Sequence, residues 1–413
     1  MHPRMEDREL YQQVLCLNSP WTVSRVELKT DVEEVQIQVT HARGTKFCCP
    51  ECDRQLPCYD HAEERRWRHL DSCQFQTILV ARAPRVKCPE HGVKTVPVPW
   101  AEGSSRFTLL FERFAIDVLL ATQTVTGAAS LLRTSWDETW HILKRAVQRG
   151  QDRKQSRVMP LIGIDEKAFA KRHKYITLIY DLEHSTVEAI SDGNDTEAGI
   201  ACFSQLSSQQ IAGVEAVAMD MSAAYVKATQ ATIADAAAKI VHDRFHVMQL
   251  ATKAVDAVRR GEHRELMADG DHRLAKTKYL WLTNEENLTE EQTNRLAAVF
   301  HSTLNTGKAW GYKELLRDLW NQPTAAAATA CFKAWYRRVI HTKLAPMKKL
   351  ARTIKQRLEN VVSFCTHHIT NSVAEGMNSK IMSIKRRVGG YRNRENFKTA
   401  IYFYCGGLDL YPR

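Results

Sequence analysis

Six of the chain's eleven cysteines, Cys48, Cys49, Cys52, Cys58, Cys73 and Cys88, fall within about forty residues, and the other five are scattered. The opening MHPRMEDREL is charged and lacks the apolar core of a secretory signal, so a disulfide framework is not expected. A local metal site in a reducing compartment is expected instead. Cys49-Pro-Glu-Cys52 has the spacing of a zinc knuckle, and Cys88-Pro-Glu-His91 repeats it with histidine in the fourth place. Two such half-sites suit a tetrahedral Cys3His site for a structural Zn2+. Cys48, Cys58, Cys73, His61 and His69 are alternative ligands, and free buried thiols acting as small hydrophobes are the competing reading. No H-E-x-x-H pattern is present, so nothing points to a catalytic zinc.

The rest of the composition fits a globular chain, with 44% apolar and 25% charged residues. No run of about 18 apolar residues occurs, so no membrane span is expected. Lys and Arg number 58 against 47 Asp and Glu, a net +11 that favours a polyanionic partner, with a merely soluble basic surface as the equal alternative on charge alone.

Four regions follow one another. Alternation in Val23–Thr30 and Val35–Val39 predicts a half-buried β-hairpin ahead of the cysteine cluster. Val96-Pro-Val-Pro-Trp100 reads as a linker. Thr126–Arg133, a break at Thr134-Ser135, and Trp136–Val147 outline a helix-turn-helix or equally an all-helical linker, with Ser135 as N-cap and Glu138 closing a capping box. A polar linker, 151–157, leads to strand-like runs at Leu161–Ile164, Tyr175–Tyr180, Thr186–Ile190, Val214–Met219 and Lys239–His242, with helical patterns around 196–209 and Ala223–Ala237. That order predicts a mixed sheet with helices packed on it. From about 247 to 365 the pattern is helical and rich in Lys, Arg, Trp and Leu.

Asp165 and Asp220 each follow an apolar strand, where a rigid sheet holds a carboxylate at the crevice beyond it. Two such acids suit a pair of Mg2+ or Mn2+ ions about 3.5–4 Å apart, the arrangement that activates a water and stabilises the leaving oxygen of a phosphodiester. Strand-end capping is the competing reading. Glu375 falls in the first turn of a helix capped by Asn371 or Ser372, with Asn378 and Ser379 along one face. It stands equally as an acid that a helix N-terminus favours. Glu166, Asp181, Asp192 and Asp195 are rival acids of the same region.

Gly163-Ile-Asp165-Glu-Lys, Ala218-Met-Asp220-Met-Ser-Ala-Ala-Tyr225, His242-Asp-Arg-Phe-His246-Val and Asn371-Ser-Val-Ala-Glu375-Gly-Met-Asn-Ser-Lys380 resemble, in order, the blocks of ISL3-family insertion-sequence transposases. The N-terminal cysteine module and the long helical stretch before Glu375 resemble that family too, so the likeness spans roughly residues 45–405. The resemblance implies a multidomain α+β chain. Residues 1–98 would be a β/zinc-finger module with Cys49, Cys52, Cys88 and His91 on zinc. Residues 99–157 would hold the helix-turn-helix and linker, and 158–413 an RNase H-like DDE domain with a helical insertion at about 247–365. Asp165, Asp220 and Glu375 would be its catalytic, metal-binding triad with two Mg2+ or Mn2+ ions, and Asp243 and His246 would support it. His246 could equally pack as a helix-start histidine.

The implied activity is metal-dependent cleavage at the ends of an insertion sequence and strand transfer into target DNA. The implied partners are double-stranded terminal inverted repeats and target DNA, with a homodimer or larger assembly when active, in a bacterial cytoplasm. Arg65, Arg66 and Arg68 in the cysteine module, Lys144 and Arg145 in the helix-turn-helix, and Lys385, Arg386, Arg387 and Arg392 after Glu375 are the expected DNA contacts. The basic run from Lys348 to Arg357 reads as backbone contact or as a solvated helix face. Two rival functions are a non-catalytic DNA-binding descendant of a transposase and a metal-dependent nuclease without strand transfer.

Overall fold

The computed structural model describes residues 6–170, 174–300, 304–370 and 372–413, with backbone alone for 298–300. Asn371, one of the two expected caps, lies outside the described residues. The chain forms two compact units, residues 1–154 with 408–413, and residues 155–407.

The first unit opens with α1 (Asp7–Val14) and the strands β1 (Trp21–Lys29), β2 (Glu34–His41), β3 (Lys46–Cys48), β4 (Gln55–Arg68), β5 (Gln76–Cys88) and β6 (Gly92–Thr95). The expected hairpin is β1 antiparallel to β2. β2 then runs parallel to β5 in the order β1-β2-β5-β4-β3, with β6 on β5. Burial alternates along β2, as a strand with one wet face requires. Ile37, Val39, Trp67, Leu79 and Val86 fill the inner face.

The Pro-rich segment is not a linker. Val96, Val98 and Trp100 are buried in this core, and Trp100 meets Trp21 and Trp67 edge to face at 4.9 and 5.5 Å. Proline marks the end of β-pairing here, and the alternate apolar residues still contribute to a packed face.

Three helices follow, α2 (Leu109–Thr122), α3 (Val125–Leu132) and α4 (Trp136–Arg153). Thr108 and Thr124 cap the first two through Phe111 N and Gly127 N. The capping box at α4 forms as expected: Glu138 N donates to Ser135 Oγ at 3.2 Å and Ser135 N donates to Glu138 Oε2 at 2.9 Å. Glu112 on α2 is 1% exposed and binds Arg145 (2.6 Å) and Arg149 (3.0 Å) of α4, with Ser105 Oγ donating to it at 2.6 Å. Residues 408–413 pack on the same helices. Arg149 and Arg153 each donate at 2.6 Å to the carbonyls of Leu410 and Tyr411, and Tyr411 Oη donates to Asp117 at 2.6 Å. Gly150 admits Leu408, whose Cβ lies 2.6 Å from where a Cβ at 150 would stand.

The second unit is built on a sheet of β7 (Leu161–Ala170), β8 (Lys174–Asp181), β9 (Thr186–Asp192), β10 (Ala216–Met219) and β11 (Ile240–His242). Its order is β11-β10-β7-β8-β9, parallel among the first three and antiparallel in the rest. β7 outruns its apolar start at Leu161–Ile164 because its pairing with β8 continues past Asp165, while β10 leaves it at Ile164. The connections hold α5 (Thr196–Phe203), α6 (Ser208–Ala212), α7 (Ala223–Thr232) and α8 (Ala236–Lys239). One face of the sheet packs on α5 and α7 through Ile164, Val217, Phe203 and Ala228.

A set of helices then intervenes: α9 (Arg244–Ala268), α10 (Lys278–Leu282), α11 (Glu290–Phe300), α12 (Asn305–Arg317), α13 (Ala325–Ile340), α14 (Ala345–Gln356), α15 (Leu358–Val362) and α16 (Phe364–His367). They bury a core of their own, with Trp281, Trp310, Trp320, Phe332, Trp335 and Ile354. The chain returns in α17 (Ser372–Arg387) and α18 (Arg394–Cys405), which cover the other face of the sheet through Ile381, Ile384, Phe397 and Ile401. Among the described residues no helix is long and apolar enough to cross a membrane.

Candidate active site and metal centre

Parallel register decides where the acids stand. Ile164 of β7 faces Met219 of β10, and Met219 faces His242 of β11. The next residue in the chain is in each case an aspartate: Asp165 within β7, and Asp220 and Asp243 just past the ends of β10 and β11. With parallel strands about 4.8 Å apart, the three carboxylates occupy one level at one sheet end. Asp243 also caps α9, accepting from Phe245 N at 2.6 Å, and His246 follows in that helix's first turn. Asp220 accepts from Ser222 N at 2.8 Å.

Glu375 enters from the first turn of α17, within electrostatic reach of Asp243, His246 and Asp165. Burial raises its carboxyl above the ordinary carboxylate range, and the two aspartates raise it further. Burial likewise raises Asp165, with Lys167, Glu166 N–H and Asn378 opposing. Among the described residues, Asp165, Asp220 and Glu375 do not make a set whose oxygens all approach within 4.8 Å.

One turn beyond Glu375, the buried Asn378 joins α17 to the sheet. Tyr180 Oη donates to its amide oxygen at 2.6 Å, which turns the Asn378 amide N–H toward Asp165 Oδ2, where it donates. Glu166 N donates to Asp165 Oδ1 at 2.8 Å. Both oxygens of Asp165 are thereby oriented.

The rival acids divide. Asp181 is fully buried against Arg157 at 2.7 Å, and the His184 N–H and Arg157 outweigh its burial and hold it below the carboxylate range. Asp192 pairs with Arg394 and Lys398 at 2.9 Å each. Asp195 caps α5. Glu166 alone stays beside the aspartates, raised by burial and then by Asp220 and Asp165.

In the first unit, Cys49 and Cys52 lie between β3 and β4, and Cys88 and His91 sit on the turn from β5 to β6. The long β4–β5 ribbon uses up the residues between the half-sites and brings them to one end. The four ligand atoms lie within 4.8 Å of one another. Cys52 Sγ is 3.8 Å from Cys88 Sγ, and His91 Nδ1 is 3.5 Å from Cys88 Sγ and 3.9 Å from Cys49 Sγ. A tetrahedron with metal–sulfur bonds of about 2.3 Å has edges of about 3.8 Å, so this Cys3His cluster is consistent with a structural zinc site. Burial raises the Cys88 thiol, but the Glu90 and His91 backbone N–H groups and the His91 ring bring it down to about 6. Cys48 and Cys73 are exposed and outside the cluster, and His69 is buried on Thr108 Oγ1 at 2.9 Å.

Three family profiles match successive stretches of the chain. The zinc-finger of transposase IS204/IS1001/IS1096/IS1165 covers residues 45–91, and the helix-turn-helix domain of transposase family ISL3 covers 96–147. The ISL3 profile described as Transposase covers 162–401, more than half of the chain. The chain belongs to the ISL3 transposase family.

It is 27% identical over 380 residues to the transposase for insertion sequence element IS1001 of Bordetella parapertussis, across 91% of this chain and 93% of that one. It is 26% identical over 419 residues to the transposase for insertion sequence element IS1557 of Mycobacterium tuberculosis (strain CDC 1551 / Oshkosh), across 94% and 93%.

As a transposase with a helix-turn-helix, the chain has DNA as its partner, and its expected DNA contacts fall into two groups. Lys144, Arg386, Arg387 and Arg392 are exposed, and Arg66 is half free beside Glu34 at 2.8 Å. The others have internal work. Arg68 is buried on Asp71 and the His69 carbonyl. Arg65 lies over the Trp67 ring at 4.8 Å and donates to the Ser105 carbonyl. Arg145 holds Glu112. Lys385 donates to the Ala168 carbonyl at 2.9 Å. Along α4, Asp137, His141, Lys144 and Gln148 form one exposed stripe at helical spacing. Periodicity could have found that stripe; charge alone did not.

Proposed function

We propose that this chain is the transposase of an insertion sequence, acting through an RNase H-like DDE domain. It would bind the element's terminal inverted repeats, cut the DNA at the element ends and join those ends to target DNA. The observation that carries the reading is the common level of Asp165 and Asp220 on paired parallel strands, with Glu375 within reach of Asp165 from α17, all inside residues 162–401. The strand order, three parallel strands flanked by two antiparallel ones with α17 and α18 on one face, supports an RNase H-like assignment.

The donor set at the sheet end is all carboxylate, which fits Mg2+ or Mn2+. When bound, a pair of such ions supplies an activated water or 3′-hydroxyl and stabilises the departing 3′-oxygen of an in-line displacement at phosphorus. Asp165 and Asp220 hold their oxygens on rigid strands. Asn378 and the Glu166 N–H fix how Asp165 presents them. Glu375 brings a third carboxylate on a separate element, so closure of the ligand set depends on the seating of α17. Asp243 and His246, at the start of α9 beside Glu375, would support the organisation of the site or of the DNA. Cys49, Cys52, Cys88 and His91 would hold a structural Zn2+ that locks the two turns of the N-terminal sheet. No Ser or Tyr nucleophile is required, and synapsis of two ends calls for at least a homodimer.

The test is strand transfer of a labelled, pre-cleaved element end into a supercoiled plasmid with magnesium or manganese. The intact chain runs beside Asp165→Asn, Asp220→Asn and Glu375→Gln. Joining by the intact chain alone supports the triad. End binding that is unaltered by all three substitutions, with no joining, leaves a DNA-binding protein, and hydrolysis without joining leaves a nuclease.

A further inference from the structure

Two of the alternative zinc ligands, Cys58 and His61, come together elsewhere in the first unit with His41. Their ligand atoms lie within 4.8 Å of one another. The donors come from non-neighbouring strands: His41 ends β2, and Cys58 and His61 lie on β4, with β5 between them in the sheet order. His41 Nε2 faces His61 Nε2 at 2.8 Å, and Cys58 Sγ is 3.9 Å from His61 Nε2.

The His41 ring is held in place. Its Nδ1–H points at the Ala42 carbonyl at 3.0 Å, which leaves Nε2 as the ring's acceptor, aimed at the cluster and at His61 Nε2. Trp21 and Phe47 meet the ring edge to face at 6.0 and 4.9 Å. An imidazole oriented by a carbonyl on its far nitrogen is the outer-sphere arrangement of metal-ligating histidines. His61, stacked on the His41 ring at 5.1 Å, is exposed, so the side of the cluster it borders is open to solvent.

We propose that His41, Cys58 and His61 form a second cation site, distinct from the Cys3His cluster, with two imidazole nitrogens, one thiolate and an open fourth position. This borderline donor set, two nitrogens and one sulfur, selects a late first-row ion of the zinc class over magnesium or calcium. Without the ion, His61 Nε2–H donates to His41 Nε2. On binding, the His61 ring proton passes through solvent to its Nδ1 and the Cys58 thiol gives its proton to water. Three lone pairs then meet the ion, with one proton released. The two imidazole nitrogens open to about 3.3 Å, the edge of a zinc tetrahedron, by a small turn of His61. The ion would staple β2 to β4 across the β5 position. This site does not depend on the proposed catalytic role of the second unit.

The test uses the untagged full chain, stripped of metal under reducing conditions and returned to Zn2+ in excess magnesium, which occupies hard carboxylate sites. Bound zinc is measured, and alkylation of each cysteine is mapped by peptide mass. The expected result is about two zinc equivalents in the intact chain and about one in His61→Ala and in Cys58→Ser. Zinc should slow alkylation of Cys58 in the intact chain but not in His61→Ala, where Cys52 stays protected. One equivalent in the intact chain, with Cys58 alkylated equally fast with and without zinc, overturns the proposal. So does Cys58 protection that survives both His41→Ala and His61→Ala. The protection measurement on the unsubstituted chain decides the matter even where a variant folds poorly.

Discussion

Glu112 and Asp165 are both carboxylates taken largely out of water, and their surroundings are opposite. Glu112 meets two arginines and a hydroxyl, all from its own unit. Asp165 meets an amide and a backbone N–H, with Lys167 as a nearby cation and further negative charge from Asp220 beside it and Glu375 within electrostatic reach. A buried acid with matched cations holds helices together, whereas one gathered with other acids raises the energy of the fold until something positive is brought to it. The first arrangement is structural. The second fits the cation-dependent centre proposed above.

The contrast is broken most forcefully at Glu112. Glu112→Ala leaves Arg145 without its carboxylate and Arg149 with only Glu102 and the Leu410 carbonyl, and should cost about 3 kcal/mol, read by denaturant unfolding of the first unit. A loss below about 1 kcal/mol would show that the arginines find other partners and that the pair is not structural. Next comes Asn378→Ala, which frees the Asp165 carboxylate from its fixed orientation. Strand transfer should fall about 10- to 100-fold while end binding is kept. Asn378→Asp, placing a further acid against Asp165, should fall at least as far.

At Asp165 no such loss is expected. Asp165→Asn removes a charge that burial and Asp220 disfavour, so in chelator at pH 7 it should not lower stability even though its amide can accept only one of the two N–H bonds, while joining is abolished. A destabilised Asp165→Asn would mean that the acid is a structural cap. The pH dependence follows from the same three raised carboxyls, Asp165, Glu166 and Glu375. Each is bound more tightly by its proton in the folded chain than in the unfolded one. Their contribution is therefore complete below the ordinary carboxyl range of about 4 and is lost as pH rises through the higher folded values. Chelated protein should lose this share of its stability as pH rises above the ordinary carboxyl range, and Asp165→Asn with Glu375→Gln should flatten the slope. The smallest effect is at the helix-turn-helix: Ser135→Ala removes the α4 cap and should cost about 1 kcal/mol in thermal unfolding, leaving the ion pairs at Glu112 intact.

What could be read from the sequence was local. The C-x2-C and C-x2-H spacings, the capping box at Ser135, the β1–β2 hairpin and the alternation of strands with helices are each fixed by residues a few positions apart. What escaped depends on distant partners. Arg68, Arg145 and Lys385 looked like DNA contacts because charge is visible in a sequence, but Asp71, the buried Glu112 and the Ala168 carbonyl are what they meet. Val96–Trp100 looked like a linker because its prolines are conspicuous, while the tryptophans that bury it lie far off in the chain. Asn378 was visible as a neighbour of Glu375 on a helix, but its bond to Asp165 crosses more than two hundred residues. Asp243 stood out only through its motif; that it shares a level with Asp165 and Asp220 required the register of β11.

Residues 408–413 close the first unit, yet they follow residues 155–407 in the chain. At about 5–20 residues per second, a ribosome takes on the order of ten to fifty seconds to make the intervening stretch. Throughout that interval α4 has emerged, but Leu408 is not yet against Gly150, and Arg149 and Arg153 lack the carbonyls of Leu410 and Tyr411. Synthesis of the whole second unit is thus a timer on the finishing of the helix-turn-helix. A message cut short inside that unit yields a nascent chain whose DNA-contacting helices have never been locked.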